Sequence, residues 1–391
     1  MRIVLIKGPS MYEGTRTFID HAAAAFQRRG HLAEVVDLQG LSDPLSGLLE
    51  GAARGPADLV FSINILGEAR DTQGRSISAM FGAPHVVWHV DYILSQETRL
   101  AETPGDTALL VVDPTQVDAV NDLYGPTRWQ TVRFCPHAAI GEPAPDDLDP
   151  DAFAATRPIP ILWSGSLQKT KVRPWADAAE PTRRVFDDAF DMALGAEWMP
   201  PHRAMDAALA ARGLDLNDPE NLGARTSARW IDIEVRKTRR FEFVKAVAKT
   251  GLPIHICGEG WDADLYRFKR ATYEGPVPMP RVAELMRQSR IVLNTNGNFG
   301  AGSHERPLSA LLAGAAAFSD RTDFYAQALG EDQGIVLFRW KDLAGGMSRL
   351  QALHAEPASA WRIAATGKPL VVAGHTFEAR VDLILEAGGL A

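Results

Sequence analysis

The sequence predicts an α/β protein of two domains, each a parallel sheet covered by helices on both faces. Three observations carry this. Short apolar runs alternate with helical stretches along most of the chain, the rhythm of parallel strands joined by crossover helices. The 391 residues are enough for two separate cores. After the sixth strand-like run, a Pro- and Asp-rich stretch, GEPAPDDLDPD (141–151), reads as a linker, which sets the domains at 1–150 and from 151 onward.

In the first domain, RIVLI (2–6) reads as a strand and TFIDHAAAAFQRRGH (17–31) as an amphipathic helix closed by Gly30. LAEVVDL (32–38), LVFSIN (59–64), HVVWHV (85–90), ALLVVD (108–113) and TVRFCP (131–136) supply five more strands. Ligands of such sheets sit beyond the carboxyl ends of the strands. That rule singles out the loop Gly8 to Arg16, then Asn64, then His89 with Asp91, then His137.

The second domain opens with PIPILWSGS (158–166), a strand and a turn at Gly165. The segment from 169 to 230 breaks the rhythm with charge, tryptophan and helical stretches at 178–194 and 203–212, so it reads as a helical insertion. A helix over 238–251 and a strand in PIHICGEGW (253–261) resume the pattern. A Gly-Pro turn at Gly275 then leads to a helix from Arg281 to Gln288 and a short strand from Ile291 to Asn294. Next comes a polar loop with Asn294, Asn296, Asn298, Ser303, His304, Glu305 and Arg306, and a helix from Leu308 to Ala313 with Pro307 in its first turn. GIVLFR (334–339) is a further strand, followed by helices around 341–354, 357–365 and 376–387.

Strand, Gly-rich polar loop and helix N-terminus together form a phosphate-type site, because unpaired N–H groups and the positive helix end face the anion. Arg306 adds a planar, permanent charge suited to phosphate oxygens. The plainer alternative is that Glu305 and Arg306 form a solvated ion pair and the asparagines make turns. No G-x-G-x-x-G or G-x-x-x-x-G-K-[ST] pattern occurs, which removes the main support for nicotinamide dehydrogenases and P-loop ATPases.

The net charge of −8 disfavours nucleic acid as partner. No segment approaches the length of apolar chain that a membrane span needs. Cys135 and Cys257 lie far apart without metal-ligand spacing and read as buried thiols of a cytoplasmic protein. Asp262 and Asp264 have D-x-D spacing but follow Gly260 and Trp261 in a surface-type loop, so no metal is expected.

Five stretches in order resemble one family: WHVDYIL (88–94), the Gly165 turn, RRFEFVKAVAKTGLPIHICGEGW (239–261), YEGPV with RQSRIVLN (273–294), and RPLSALLAGA (306–315), with HTFEARVDLIL (375–385) closing the chain. The chain is similar to the two-domain GT-B glycosyltransferases, and among them to proteins like the spore maturation protein CgeB. The resemblance implies two Rossmann-like domains facing a central cleft. The second (151–374) would bind a nucleotide-diphosphate sugar, the first an acceptor that is a glycan, a lipid-linked molecule or a protein. It also implies that residues 375–391 return to the first domain, with His375, Thr376 and Arg380 pinning the two together.

In that frame the leaving diphosphate falls to Arg306 with the helix behind it, to the Gly165–Ser166 turn and to the Gly258–Glu259–Gly260 loop, with no metal or cofactor. Asn294, Asn296, His304 and Glu305 complete the donor contacts. The family pattern has an acidic residue, a ribose ligand, where Ser309 stands here. Either Glu305 substitutes, or the donor is held differently, or donor binding is lost. Asp91 is the candidate base, unless it only caps the helix starting near Tyr92. His89 and Glu13 are further catalytic candidates. A nucleotide-sugar epimerase of the same fold, or a non-catalytic binding module, are the alternative functions.

Overall fold

The computed structural model describes residues 1–65, 67–145, 149–167 and 172–390. Positions 146–148 of the expected linker and 169–171 at the start of the expected insertion lie outside them. The chain forms two compact units, Met1–Ile140 with His375–Ala391, and Gly141–Gly374.

The first unit is built on six strands: β1 (Arg2–Lys7), β2 (Leu32–Asp37), β3 (Leu59–Ile63), β4 (His85–His89), β5 (Thr107–Val111) and β6 (Thr131–Phe134). They form one parallel sheet in the order β2-β1-β3-β4-β5-β6. The middle strands β3, β4 and β5 are buried at every position, the pattern of a sheet covered on both faces. The strand order reverses at β1 and β3, so the loops after these strands border a crevice at the carboxyl edge. The helix Glu378–Ala387 belongs to this unit. Phe377 ahead of it packs on Phe18 and Trp88, with ring centroids 6.0 and 5.9 Å apart. Arg380 donates to the carbonyls of Pro136 (2.7 Å) and His137 (2.9 Å), and the His375 carbonyl accepts the Ala139 N–H (2.8 Å), so these bonds fasten the returning segment to the first unit.

The second unit holds β7 (Ile159–Ser164), β8 (Ile254–Cys257), β9 (Ala271–Gly275), β10 (Ser289–Leu293), β11 (Ala316–Asp320) and β12 (Val336–Phe338). These too are parallel, in the order β12-β11-β10-β7-β8-β9. This is the doubly wound order of dinucleotide-binding sheets, with the switch between β7 and β10. On one face, the helix Arg229–Thr250 packs Phe243 against Phe338 (5.0 Å) and Trp163 (5.5 Å), and Phe318 stacks on Phe338 (5.5 Å). All four rings are 2% exposed or less. Truncating Phe243 to alanine would therefore cost about 3–5 kcal/mol.

Two strands depart from the expected pattern. β9 and β11 occupy stretches read as a turn and as the sequel of a helix. ATYEG and AAFSD carry no Val or Ile, and neighbouring strands rather than propensity hold them extended. The division between units also falls at 140/141 rather than at 150. The Ala144 N–H already bonds the Leu312 carbonyl (2.9 Å), and Lys368 donates to the Ala144 carbonyl (2.7 Å). A Pro-rich strap packed on a domain has the same composition as a free linker.

Between β7 and the helix Arg229–Thr250 stand the helices Glu180–Gly195, Pro201–Ala210 and Pro219–Thr226. This insertion is fastened to the sheet. The Glu197 carboxylate accepts the N–H groups of Trp340 (2.9 Å) and Lys341 (3.0 Å), and Arg239 donates to the Ala196 carbonyl (2.8 Å). Trp198 lies on Gly300, where an added Cβ would meet the indole at 1.8 Å, so only glycine fits.

Candidate functional site

The carboxyl ends of β7 and β10 define a crevice in the second unit, and two helices deliver charge to it. The helix Glu305–Leu312 starts three residues earlier than its apolar run suggests, because His304 caps it: Nδ1 accepts the Arg306 N–H at 3.4 Å and lies 2.5 Å from Glu305 Oε2. Arg306, 9% exposed, donates from Nη1 to Asn294 Oδ1 at 2.6 Å, and its Nη2 would be 3.7 Å from a Cβ on Gly165. It therefore spans the loops after β7 and β10.

The second charge comes from Arg240 in the helix Arg229–Thr250, whose Nη1 donates to the Ser166 carbonyl at 2.7 Å. Burial, then the fields of Arg306 and Arg236, push its guanidinium down to about 9. Among the described residues neither Arg240 nor Arg306 pairs with a carboxylate; each is held by neutral oxygens only. Two buried like charges without a counterion are costly, and an anionic ligand removes the cost. Ser164 Oγ at the end of β7, Asn296 Nδ2 and Arg240 Nε are also buried without a hydrogen-bond partner, the mark of an incomplete site.

A chain of hydrogen bonds holds the arginine fork. Asn294 Nδ2 donates to Ser319 Oγ (2.9 Å), and Ser319 Oγ donates to Asp320 Oδ1 (3.2 Å). Asp320 also accepts the Asn296 N–H (2.8 Å) and Trp340 Nε1 (3.1 Å). Burial raises its carboxyl above the ordinary value even so. Tyr325 ties the same loop together, accepting the His304 N–H (2.7 Å) and donating to the His304 carbonyl (2.8 Å).

The glycine loops serve differently from expectation. The Gly165 N–H bonds the Cys257 carbonyl (2.9 Å), the Gly258 N–H the Gly275 carbonyl (2.8 Å), and the Glu259 N–H Ser166 Oγ (3.2 Å). These donors are spent on neighbouring loops instead of facing outward. Gly258, at φ +126°, is required because a Cβ there would lie 2.5 Å from the Gly165 carbonyl group. Ser309, in the place of the family's acidic residue, turns its hydroxyl back to the Glu305 carbonyl at 2.9 Å, inside the helix.

In the first unit the loops after β3 and β4 meet. Asp91 is exposed, and Asn64 holds it: Nδ2 donates to Asp91 Oδ2 (2.8 Å) while Oδ1 accepts the Val90 N–H (3.0 Å). The 3₁₀ turn that follows is capped by Tyr92 without a side-chain bond, so Asp91 is not its cap. Asn64 takes a left-handed conformation (φ +56°) to do this. His89 lies elsewhere than expected. It is fully buried in β4, its Nδ1 is 3.1 Å from the Asp91 carbonyl oxygen, and burial lowers its pKa, so it fixes the loop instead of meeting solvent. Glu13, itself left-handed at φ +59°, accepts from Arg16 Nε at 2.9 Å. Arg16 also grips both oxygens of Asp37, which it holds down near 2. His137 is buried, with Nε2 3.1 Å from the Val90 carbonyl oxygen.

Two members of the site escaped the sequence reading, Arg240 and Asp320. A signal for the first existed: Arg236, Arg239 and Arg240 precede Phe243 and Val247 at spacings of three and four, so arginines occupy a stripe that is otherwise core. Asp320 had none, since β11 itself was not recognised. Among the described residues no three His, Cys, Asp or Glu side chains gather as metal ligands. Asp264 is buried and paired with Arg267 at 2.6 Å.

Comparison with known proteins bears on the fold around this crevice. Residues 236–386 match a glycosyl transferase-like family model. Sucrose-phosphate synthase from Thermosynechococcus elongatus superposes with a TM-score of 0.53 at 12% identity, covering 100% of this chain and 98% of that one. WaaG, a glycosyltransferase involved in lipopolysaccharide biosynthesis, gives 0.53 at 11% identity and covers 100% of both chains. Anabaena HepE in complex with UDP and glucose gives 0.54 at 11%, covering 99% of this chain and 98% of that one. At such identities the likeness establishes the fold, which is GT-B. No curated protein matches the chain in sequence.

Proposed function

We propose, from a GT-B chain whose segment 236–386 carries a glycosyl transferase-like signature, that this protein transfers a sugar from a nucleotide-diphosphate donor to a glycan, lipid-linked or protein acceptor. The observation that carries the reading is the pair Arg240 and Arg306: two buried guanidinium groups without carboxylate partners at the switch of a doubly wound sheet. A diphosphate supplies the missing countercharge. As the glycosidic bond to the donor breaks, charge grows on the departing β-phosphate, and fixed cations stabilise that charge without reorganising. The arginines carry the charge that a divalent cation would otherwise supply, so the reaction is read as metal-independent.

Asp91, aimed by Asn64, is the carboxylate assigned to the acceptor hydroxyl, as base. Asn294 and Asn296 border the donor, and Ser309 contributes through the helix start and not through its hydroxyl. The order of motifs supports a likeness to CgeB-like proteins, and the two buried free thiols are in keeping with the cytoplasm.

Thermal unfolding against a panel of nucleoside diphosphates and nucleotide sugars tests the reading. A rise in midpoint selective for one base, and then a glycoside formed from that donor, supports a transferase. Interconversion of the nucleotide sugar without a glycoside would show an epimerase, and no shift with any nucleotide would leave a donor outside the panel or a non-catalytic binding module.

A further inference from the structure

The second unit carries another cationic feature, at the opposite edge of its sheet. Lys249 lies in the last turn of the helix Arg229–Thr250, Lys269 and Arg270 precede β9, and Arg290 is the second residue of β10. The Arg270 carbonyl accepts the Ile254 N–H (3.0 Å), which fixes Arg270 beside the first residue of β8. In register, Ser289 pairs with Ile159 at the start of β7, so Arg290 belongs to the same amino edge. The pKa of His354, near the end of the helix Leu343–Ala355, is lowered by burial and by the fields of Arg290 and Arg270.

Most arginines of this chain are tied to carboxylates or carbonyls. The side chains of Lys249, Lys269, Arg270 and Arg290 make no hydrogen bond or ion pair among the described residues, and the first three are exposed. Of the carboxylates close by in sequence, Glu242 is occupied by Lys245, Asp264 by Arg267 and Glu356 by Ser359, while the exposed Asp262 offsets one of the cations.

An aromatic stripe extends the patch. Phe241, Lys245 and Lys249 are spaced by four along one helix and so share a face. Arg267 lies over both Phe241 (5.5 Å) and Tyr266 (4.9 Å), and Lys245 over Phe241 (5.4 Å). Tyr266 is 75% exposed, with Arg267 beside its ring.

We infer that this amino edge docks the protein on an anionic phospholipid surface. The chain's own contrast argues for a fluid array of headgroups over a defined phosphate site. Arg240 and Arg306 are buried and fixed by hydrogen bonds, as recognition of one phosphate requires, whereas these cations are unanchored point charges. Juxtamembrane Lys and Arg act additively in that way, and tyrosine at the rim suits the headgroup layer. A nucleic-acid groove would pair cations with several stacking faces, and Tyr266 is the sole exposed aromatic ring here. The cations Lys249, Lys269 and Arg270 lie at the amino edge of the sheet, opposite the switch crevice at its carboxyl edge.

The test is flotation of the full-length protein with vesicles of phosphatidylcholine, with and without phosphatidylglycerol, and with a single-stranded oligonucleotide as competitor. Binding is expected only to the phosphatidylglycerol vesicles and should weaken with salt. Replacing Lys249, Lys269 and Arg270 together by alanine should weaken it roughly a hundredfold, at about 1 kcal/mol per cation. Tyr266→Ser should weaken it further, and both variants should keep the wild-type melting temperature. Equal binding to neutral vesicles, unaltered binding of the triple variant, absence of binding, or preferential capture by the oligonucleotide would each overturn the inference.

Discussion

Arg306 Nη1 donates to Asn294 Oδ1 at 2.6 Å, and both residues are more than nine-tenths buried. This bond sets the guanidinium plane across the switch between β7 and β10. Asn294→Ala leaves Arg306 in place but free to rotate. Its loss should lower affinity for a nucleoside diphosphate about tenfold, from one charge-assisted bond worth ~1.5 kcal/mol, with little change in the pH dependence of binding. Titration calorimetry of the variant reads this directly.

Asp91 and its Asn64 clamp belong to the other unit and should separate binding from turnover. Asp91→Asn keeps the hydrogen bond geometry but removes the base. Turnover is expected to fall at least about a hundredfold while nucleotide affinity stays at the wild-type value. A parallel drop in both would remove Asp91 from the chemistry.

The interior of the first sheet holds a pH-sensitive pair. His85 is fully buried with Nε2 2.8 Å from Ser62 Oγ, and burial lowers its pKa to about 4. An unfolded chain binds that proton from about pH 6.5 downward, the folded one only near 4. Stability from this group is therefore complete above pH 6.5 and lost as pH falls toward 4, by up to ~3 kcal/mol. Urea unfolding at pH 7 and pH 4.5 should show a smaller acid loss for His85→Gln. Asp37, held near 2 by Arg16, acts in a separate window below about pH 4.

Gly258→Ala tests the backbone packing beneath the site. Its positive φ and the 2.5 Å approach to Gly165 force the β7 and β8 loops apart. A destabilisation of about 3 kcal/mol is expected in urea unfolding, together with weaker nucleotide binding because the Ser166 carbonyl moves from under Arg240.

Much of this architecture is legible in the amino-acid order. The β-α rhythm gives two parallel sheets, since fully buried strands such as LVFSI and TALLV must read as continuous apolar runs. Arg306 and Asn294 stand out because a strand, a polar loop and a helix start coincide. What stays hidden depends on distant partners. AAFSD becomes β11 through pairing with β10 and β12, and with it Asp320 enters the site. Gly165 and Gly258 look like phosphate cradles, but the Gly165 N–H meets the Cys257 carbonyl on a loop almost a hundred residues away and the Gly258 N–H meets that of Gly275 at the end of the next strand. Arg240 went unread although its spacing on a core stripe carried the signal of a buried charge.

Arg240 and Arg306 are proposed to hold a single anion between them. Calorimetric titration with uridine, guanosine, adenosine and cytidine diphosphates, on the wild-type chain, Arg306→Ala, Arg240→Met and the double variant, tests it most directly. One diphosphate should bind the wild type, and each single variant should lose roughly tenfold to a hundredfold. The double variant should lose less than the product of the two, since both groups face one ligand. Undiminished binding by the double variant, or no binding of any diphosphate to the wild type, would contradict the account.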